Sequence, residues 1–208
     1  MRTAAHHNAL ATVIRSLAAE SSPACLLDTQ GTFLFVNDAW DRYALENGGA
    51  PGCLGSSLIG TCWLDHIKGP EARQIHATLL DRAVRTRGPH PRPVTQVGEA
   101  NTATTAALIS TRLEPVLQGG EPIAVRIVHR TVRVRPIAEV YEVVQRSADA
   151  YRDGTGAIAQ CSCCRRVRDL AEPERWDFVP ELLNGPQWFT HCVCELCAEL
   201  HYGIVDAI

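Results

Sequence analysis

The chain has 208 residues, 46% hydrophobic and 21% charged, enough for one sizeable hydrophobic core and a smaller appendage. Its net charge of −3 argues against general attraction to nucleic acid, and no run of about 18 apolar residues is present to span a membrane. Nine cysteines, an odd number, follow an opening MRTAAHHNALATVIRS that lacks the continuous apolar stretch of a secretory signal. The expected location is a reducing cytoplasm, where closely spaced cysteine pairs bind metal or carry redox chemistry instead of forming a disulfide framework.

In chain order, HNALATVIRSLAAES sets Leu10, Val13, Ile14 and Leu17 at helical intervals and predicts an amphipathic helix ending before Pro23. ACLLDTQGTFLFV predicts two short strands around a turn, with Asp28 and Gly31 supplying the turn chemistry. Asn37 is placed to cap the next helix, whose stripe is Ala39, Trp40, Tyr43 and Ala44 and whose end is Gly48 or Gly49. The glycine-rich GGAPGCLGSSLIG reads as irregular. A longer helix starts near Pro70, turns Ile75, Leu79, Leu80, Ala83 and Val84 inward, and stops at RTRGPHPRP.

Extended segments follow at roughly 94–98, 104–117 and 123–134, the last two joined through QGGEP as a hairpin. The arginine-rich RIVHRTVRVR within the last reads as a solvated face. IAEVYEVVQRSADAY returns to helical spacing through Ile137, Val140, Tyr141 and Val144, which predicts a connecting helix; its stripe needs a sheet or a second copy of the chain to cover it, hence an expected homodimer contact. DGTG at 153–156 reads as a linker. The order β-β-α-α-β-β-β predicts an α+β fold, a five-stranded antiparallel sheet with helices on one face, plus a small metal-stabilised C-terminal domain.

Six of the nine cysteines fall between Cys161 and Cys197. Cys161/Cys164 and Cys194/Cys197 are two CxxC pairs, and two such turns present four thiolates at the separation a tetrahedral zinc requires. Trp176, Phe178, Trp188 and Phe189 lie between them to cover the module. His191, three residues before Cys194, either replaces one thiolate or supports a sulfur from the second rank. An iron–sulfur cluster also accepts four cysteines. A thioredoxin-like dithiol lacks its βαβ context. Cys163 and Cys192 are surplus to four ligands and read first as two small loop residues with no chemistry; the other reading is that Arg165, Arg166 and the metal favour thiolates there and make the site oxidation-sensitive. From Cys161 onward four arginines face eight carboxylates, so this zinc-finger-like spacing does not imply DNA binding.

CLLDTQGTFLFVNDAWDRYALENGG, LGSSLIGTCWLDHIKGPEARQIHATLLDRAVRTRGP and TRLEPVLQGGEPIAVRIVH together resemble a PAS sensor domain over roughly residues 20 to 134. The tail is similar to the C..C…H..C..C ending of small bacterial proteins in which a PAS domain precedes it, with Cys161, Cys164, His191, Cys194 and Cys197 at those positions. The resemblance implies an N-terminal helix over 1–20, a PAS-like sensor domain over 21–135, a connecting helix and linker over 136–156, and a Cys-rich zinc-binding-like domain over 157–208. It also implies a pocket that holds haem, flavin, a small molecule or nothing; His66 and His76 are the candidate haem ligands. Covalent c-type haem is set aside because Arg165 and Ala198, not histidine, follow the CxxC pairs. Cys53 and Cys62 lie near the place of a flavin-adduct cysteine without its surrounding motif. The expected function is a non-enzymatic, cytoplasmic signal-sensing or protein-interaction module with a structural zinc site, passing its signal to another signalling protein. The alternatives are a haem-based or thiol-based redox sensor, or a redox enzyme using the C-terminal cysteines.

Overall fold

Ala24–Leu27 places four apolar residues in a row, and all four are fully buried, so both faces of this strand are covered. The computed structural model describes residues 2–88, 91–183 and 189–202. In it these residues form β1, paired antiparallel with β2 (Phe33–Val36) on one side and β5 (Glu121–Pro136) on the other. With β4 (Thr105–Gln118) and β3 (Val94–Asn101) they make a five-stranded sheet of order β2-β1-β5-β4-β3. Between β2 and β3 lie α2 (Asp38–Glu46), the single turn α3 (Gly55–Leu58) and α4 (Pro70–Arg85). This is the PAS-like architecture that the sequence resemblance implies.

Alternation along β1 sorts its side chains between two cores. Cys25 and Leu27 join Phe33, Leu58, Trp63, Leu80, Ala83, Leu113, Val125 and Ile127, the core that α2 to α4 close. Ala24 and Leu26 point the other way, to Ala124, Val128 and Leu17, and there α1 (Arg2–Ala18) lays Leu10, Val13 and Ile14. The helices between β2 and β3 thus share one face as expected, while α1 covers part of the opposite one.

Both predicted hairpins are present. Asp28 Oδ1 accepts from the backbone N–H groups of Gln30 and Thr32, each at 2.8 Å, and Gly31 takes φ +89°. In the second hairpin Gly119 and Gly120 are both left-handed, at φ +61° and +85°, a conformation glycine reaches without steric cost.

The chain divides into two compact units, one of Met1–Ile67, His76–Gln96 and Ser110–Arg130, the other of Lys68–Ile75, Val97–Ile109 and Thr131–Ile208. In the second, β6 (Ile158–Cys161) pairs antiparallel with β7 (Val167–Arg168) and parallel with β9 (Phe189–Cys192), and β8 (Trp176–Asp177) completes the order β8-β7-β6-β9. Tyr151, Ile158, Val167, Val179 and Leu182 form its main apolar cluster. Asp169 and Asp177 are buried with charged partners, Arg146 on both and Arg175 on Asp177, so they do not stand as uncompensated charges.

The connecting helix expected over 137–150 does not form. Only short 3-10 turns occur, at Ile137–Glu139 and Ala148–Tyr151, and the stretch between them is extended, with Val143 bridging Phe178 and the Val144 N–H donating to Phe178 O at 2.9 Å. Three valines at 140, 143 and 144 weaken helix propensity. The apolar residues also serve separate clusters: Ile137 packs with Phe178 and Leu183, Tyr141 with those and the cysteines, and Val144 with the Tyr151 group. One helical stripe could not reach all three. This chain therefore covers Ile137, Tyr141 and Val144 itself.

Asn37 ties the first unit together. It is 2% exposed; its Oδ1 accepts from Ala24 N–H at 2.9 Å and Trp40 N–H at 3.0 Å, and its Nδ2 donates to the carbonyls of Leu17, Glu20 and Ser22 at 3.0–3.2 Å. It is the expected helix cap and also the lock on the end of α1. Asn37→Ala strands these buried groups and is expected to cost about 3–4 kcal/mol in denaturant unfolding, well beyond the ~1 kcal/mol of a lost cap. Asn37→Asp keeps the acceptor but not the Nδ2 donors, and should fall between.

Candidate metal centre

Two tight turns build the site. Leaving β6, Cys161 donates its N–H to Arg166 O at 2.8 Å, Arg165 N–H returns to Cys161 O at 3.1 Å, and Arg165 adopts φ +67°. A non-glycine residue in that region costs roughly 1 kcal/mol, accepted here because the turn sets Cys161 and Cys164 side by side. The second turn follows β9, where Cys194 precedes the short α5 (Glu195–Cys197) and Ala198 N–H donates to Cys194 O at 2.9 Å. Parallel pairing aligns Cys161 with Cys192, and this register carries the second turn beside the first. Cys194 N–H then donates to Cys161 Sγ at 3.4 Å.

The sulfurs of Cys161, Cys164, Cys194 and Cys197 all lie within 4.8 Å of one another, and each residue is at most 1% exposed. Cys164 and Cys194 Sγ are 3.8 Å apart. A disulfide would require about 2.05 Å. A tetrahedron with metal–sulfur bonds of about 2.3 Å has edges of about 3.8 Å, so this spacing fits one ion among four sulfurs. Hydrogen bonds from Cys164, Cys194 and Cys197 push the Cys161 thiol far down, whereas Cys197, facing the other sulfurs, is pushed up. Four thiolates this close and this buried need a cation between them.

Around the sulfurs is a polar frame. Arg166 Nε donates to Cys164 Sγ at 3.2 Å and an Arg166 terminal nitrogen to Cys194 Sγ at 3.5 Å. The guanidinium lies 5.0 Å from the Tyr141 ring centroid, and that ring stacks on Phe178 at 5.7 Å. Tyr141 OH donates to Glu99, raising its own pKa together with burial. Asn101 Nδ2 donates to Glu99 at 2.8 Å and to Cys164 O at 3.0 Å. The sequence offered no sign of Tyr141, Glu99 or Asn101, because they come from distant segments; Arg166 was visible only as a neighbour of the first CxxC.

His191 lies outside the four-sulfur group. It sits on β9, register partner of Gln160, with its ring 6.2 Å from Phe189; its Nδ1 is buried without a hydrogen-bond partner among the described residues. Cys163 is buried in the same cluster as the four. Cys192 is half-buried with Sγ 3.9 Å from Gln160 O, and burial, with Cys161 beside it, pushes its thiol up to about 11. Of the covering aromatics, Phe178 is buried and Trp176 packs on the cysteine cluster, while Trp188 lies outside the described residues.

In the first unit both candidate haem ligands lie against core aromatics, His66 edge-on to Phe33 at 5.9 Å. His66 is exposed with Nε2 2.7 Å from Thr61 Oγ1, and His76 meets the Trp63 ring edge-on at 5.3 Å. Cys53 is exposed, and Cys62 is half-buried in a backbone bridge with Thr32. The histidine of the inner face is His129, on β5 in step with Val125 and Ile127. Its Nδ1 is 2.9 Å from Thr111 Oγ1 and its ring 5.4 Å from Trp40, and its Nε2 is buried without a hydrogen-bond partner among the described residues. Period-two alternation through Val125, Ile127 and His129 is the signal that leads to this position, and the arginines at 126 and 130 masked it.

Burial, with His76 nearby, lowers the His129 pKa to about 4 from an ordinary 6.5. The unfolded chain then binds a proton that the folded one refuses, so this contribution to stability is full above pH 6.5 and is lost as pH falls from about 6.5 to 4. It amounts to about 3 kcal/mol. The unfolding free energy of His129→Gln should vary less than wild type across this window in denaturant titrations.

No family model matches the sequence, and no curated protein matches it. Among solved structures the chain is similar to the PAS domain of Bordetella pertussis BvgS, at 17% identity over 61% of this chain and 88% of that one, TM-score 0.47. It is similar also to the Rhodobacter sphaeroides LOV protein, at 12% identity over 61% of this chain and 68% of that one, TM-score 0.44. A third is the PAS-B domain of Drosophila melanogaster Cycle with bound ethylene glycol, at 15% identity over 52% of this chain and 98% of that one, TM-score 0.38.

Proposed function

We propose that the chain is a PAS-type sensing or protein-interaction module whose second unit is organised by one structural zinc ion on Cys161, Cys164, Cys194 and Cys197, and that it acts in the cytoplasm by passing a signal to a separate protein. The observation that carries the metal is the set of four buried sulfurs within 4.8 Å of one another. Soft thiolates select zinc or iron over calcium and magnesium. The close spacing supports a single ion, since a multi-iron cluster needs its ligand sulfurs further apart to make room for its own atoms. None of the nine cysteines is in a disulfide, which suits a reducing compartment. Sensing is supported by the PAS-like architecture, whose inner face carries His129 and Trp40; the resemblance of the sequence supports a protein as the recipient.

Zinc here would supply folding free energy, on the order of 10–16 kcal/mol in comparable sites. The second unit otherwise relies on strands as short as two residues, β7 and β8. Purified protein is therefore expected to carry one zinc per chain. Cys161→Ser or Cys194→Ser should lose it and open the backbone of 137–183 to hydrogen exchange, with protection over 24–36 retained. Unchanged exchange of the second unit under a strong chelator would sink the structural-zinc reading, and a visible absorption band with bound iron would replace zinc by iron.

A further inference from the structure

We infer that Arg166 is the fifth member of the metal centre: not a ligand, but the charge partner that sets how tightly the ion is held. The inference rests on the four-cysteine metal site proposed above. Four thiolates around a divalent ion leave two negative charges in a place where the sulfurs are at most 1% exposed. Such a charge is costly away from water unless compensated. Arg166 is the cation in contact: Nε at 3.2 Å from Cys164 Sγ and a terminal nitrogen at 3.5 Å from Cys194 Sγ, one guanidinium spanning one sulfur from each CxxC turn. A guanidinium keeps its charge across the ordinary pH range, so this is a permanent cation beside the sulfurs.

The guanidinium is held by groups other than the sulfurs as well. Tyr141 supports it from below at 5.0 Å, and Tyr141 is fixed in turn by Phe178 and by the hydrogen bond to Glu99. A planar fork suits this task better than an ammonium: it serves two sulfurs and a ring face at once. The hydrogen bonds also divide the sulfurs. Cys164 and Cys194 receive Arg166, Cys161 receives the Cys194 N–H, and Cys197 receives no donor from outside the cysteine cluster among the described residues. Hydrogen bonds and positive charge reduce the nucleophilicity of a metal-bound thiolate, so Cys197 is the sulfur left most open to electrophiles and the first expected to let go of the ion.

Full-length wild type, Arg166→Met and Arg166→Lys, each loaded with zinc or with cobalt as a spectroscopic stand-in, test this. Arg166→Met keeps the apolar length over Tyr141 and removes the charge; it should bind zinc about 10–100-fold more weakly in chelator competition, the range seen for residues that support metal ligands. It should also shift the thiolate-to-cobalt charge-transfer band, which a merely structural role would leave in place. Arg166→Lys, retaining the charge without the fork, should recover part of the affinity. Limited alkylation of zinc-loaded wild type should mark Cys197 first, and in Arg166→Met should spread to Cys164 and Cys194. Wild-type affinity and an unshifted band in a folded Arg166→Met would overturn the role of Arg166, as would an Arg166→Lys protein no better than Arg166→Met. Failure of wild type itself to bind either metal would instead refute the four-cysteine site, so the two outcomes are distinct.

Discussion

Sulfur atoms shut away from water at tetrahedral spacing constitute a demand for positive charge, and the architecture of the second unit follows from that demand. The four cysteines come from two turns far apart in sequence, and only the register of β6 against β9 makes them neighbours. The apolar clusters around Tyr151 and Phe178 are modest, and two of the four strands contribute two residues each. Elements this slight do not hold a fold through hydrogen-bonded length. They are arranged instead around the sulfurs, and the half-buried polar frame of Arg166, Tyr141, Glu99 and Asn101 continues the arrangement outward from them.

The first unit is organised on different terms. Its sheet is buried on both faces along β1, so hydrophobic area supplies the stability, at roughly 1.5–3 kcal/mol for each large buried side chain. The polar atoms that such a core strands are gathered on one side chain, Asn37, which satisfies the beginning of α2, the edge of β1 and the exit from α1. Four gathered sulfurs in one unit and an asparagine in the other do comparable work: each draws sequence-distant segments into a single neighbourhood.

Elements whose cause is local were legible in the sequence. The hairpins were set by Asp28, Gly31 and the Gly119–Gly120 pair, the α2 start by Asn37, and the metal turns by cysteine spacing, and the structure contains each of them. What escaped had non-local causes. Residues 137–150 repeat apolar side chains at helical intervals, but backbone pairing with Phe178 and three separate clusters won over that period. His129 was hidden in a strand whose arginines drew attention to its other face. The polar frame of the cysteines draws on residues 99, 101, 141 and 166, and nothing in a one-dimensional pattern joins them.

The parallel pairing of β6 with β9 also fixes an order of events during folding. Antiparallel neighbours such as β6 and β7 close over a tight turn, whereas a parallel strand can pair only after the chain has crossed back along its whole length. The entropic cost of that closure is incurred before any contact rewards it. During synthesis the first CxxC turn is complete while Cys194 and Cys197 are not yet made, so a nascent second unit holds half a ligand set for as long as the ribosome takes to traverse 165–193. An ion meeting the chain in that interval would find only two of the four sulfurs; the full set that the proposed site needs exists only once the last turn is made. The unit is thus a late-closing clasp.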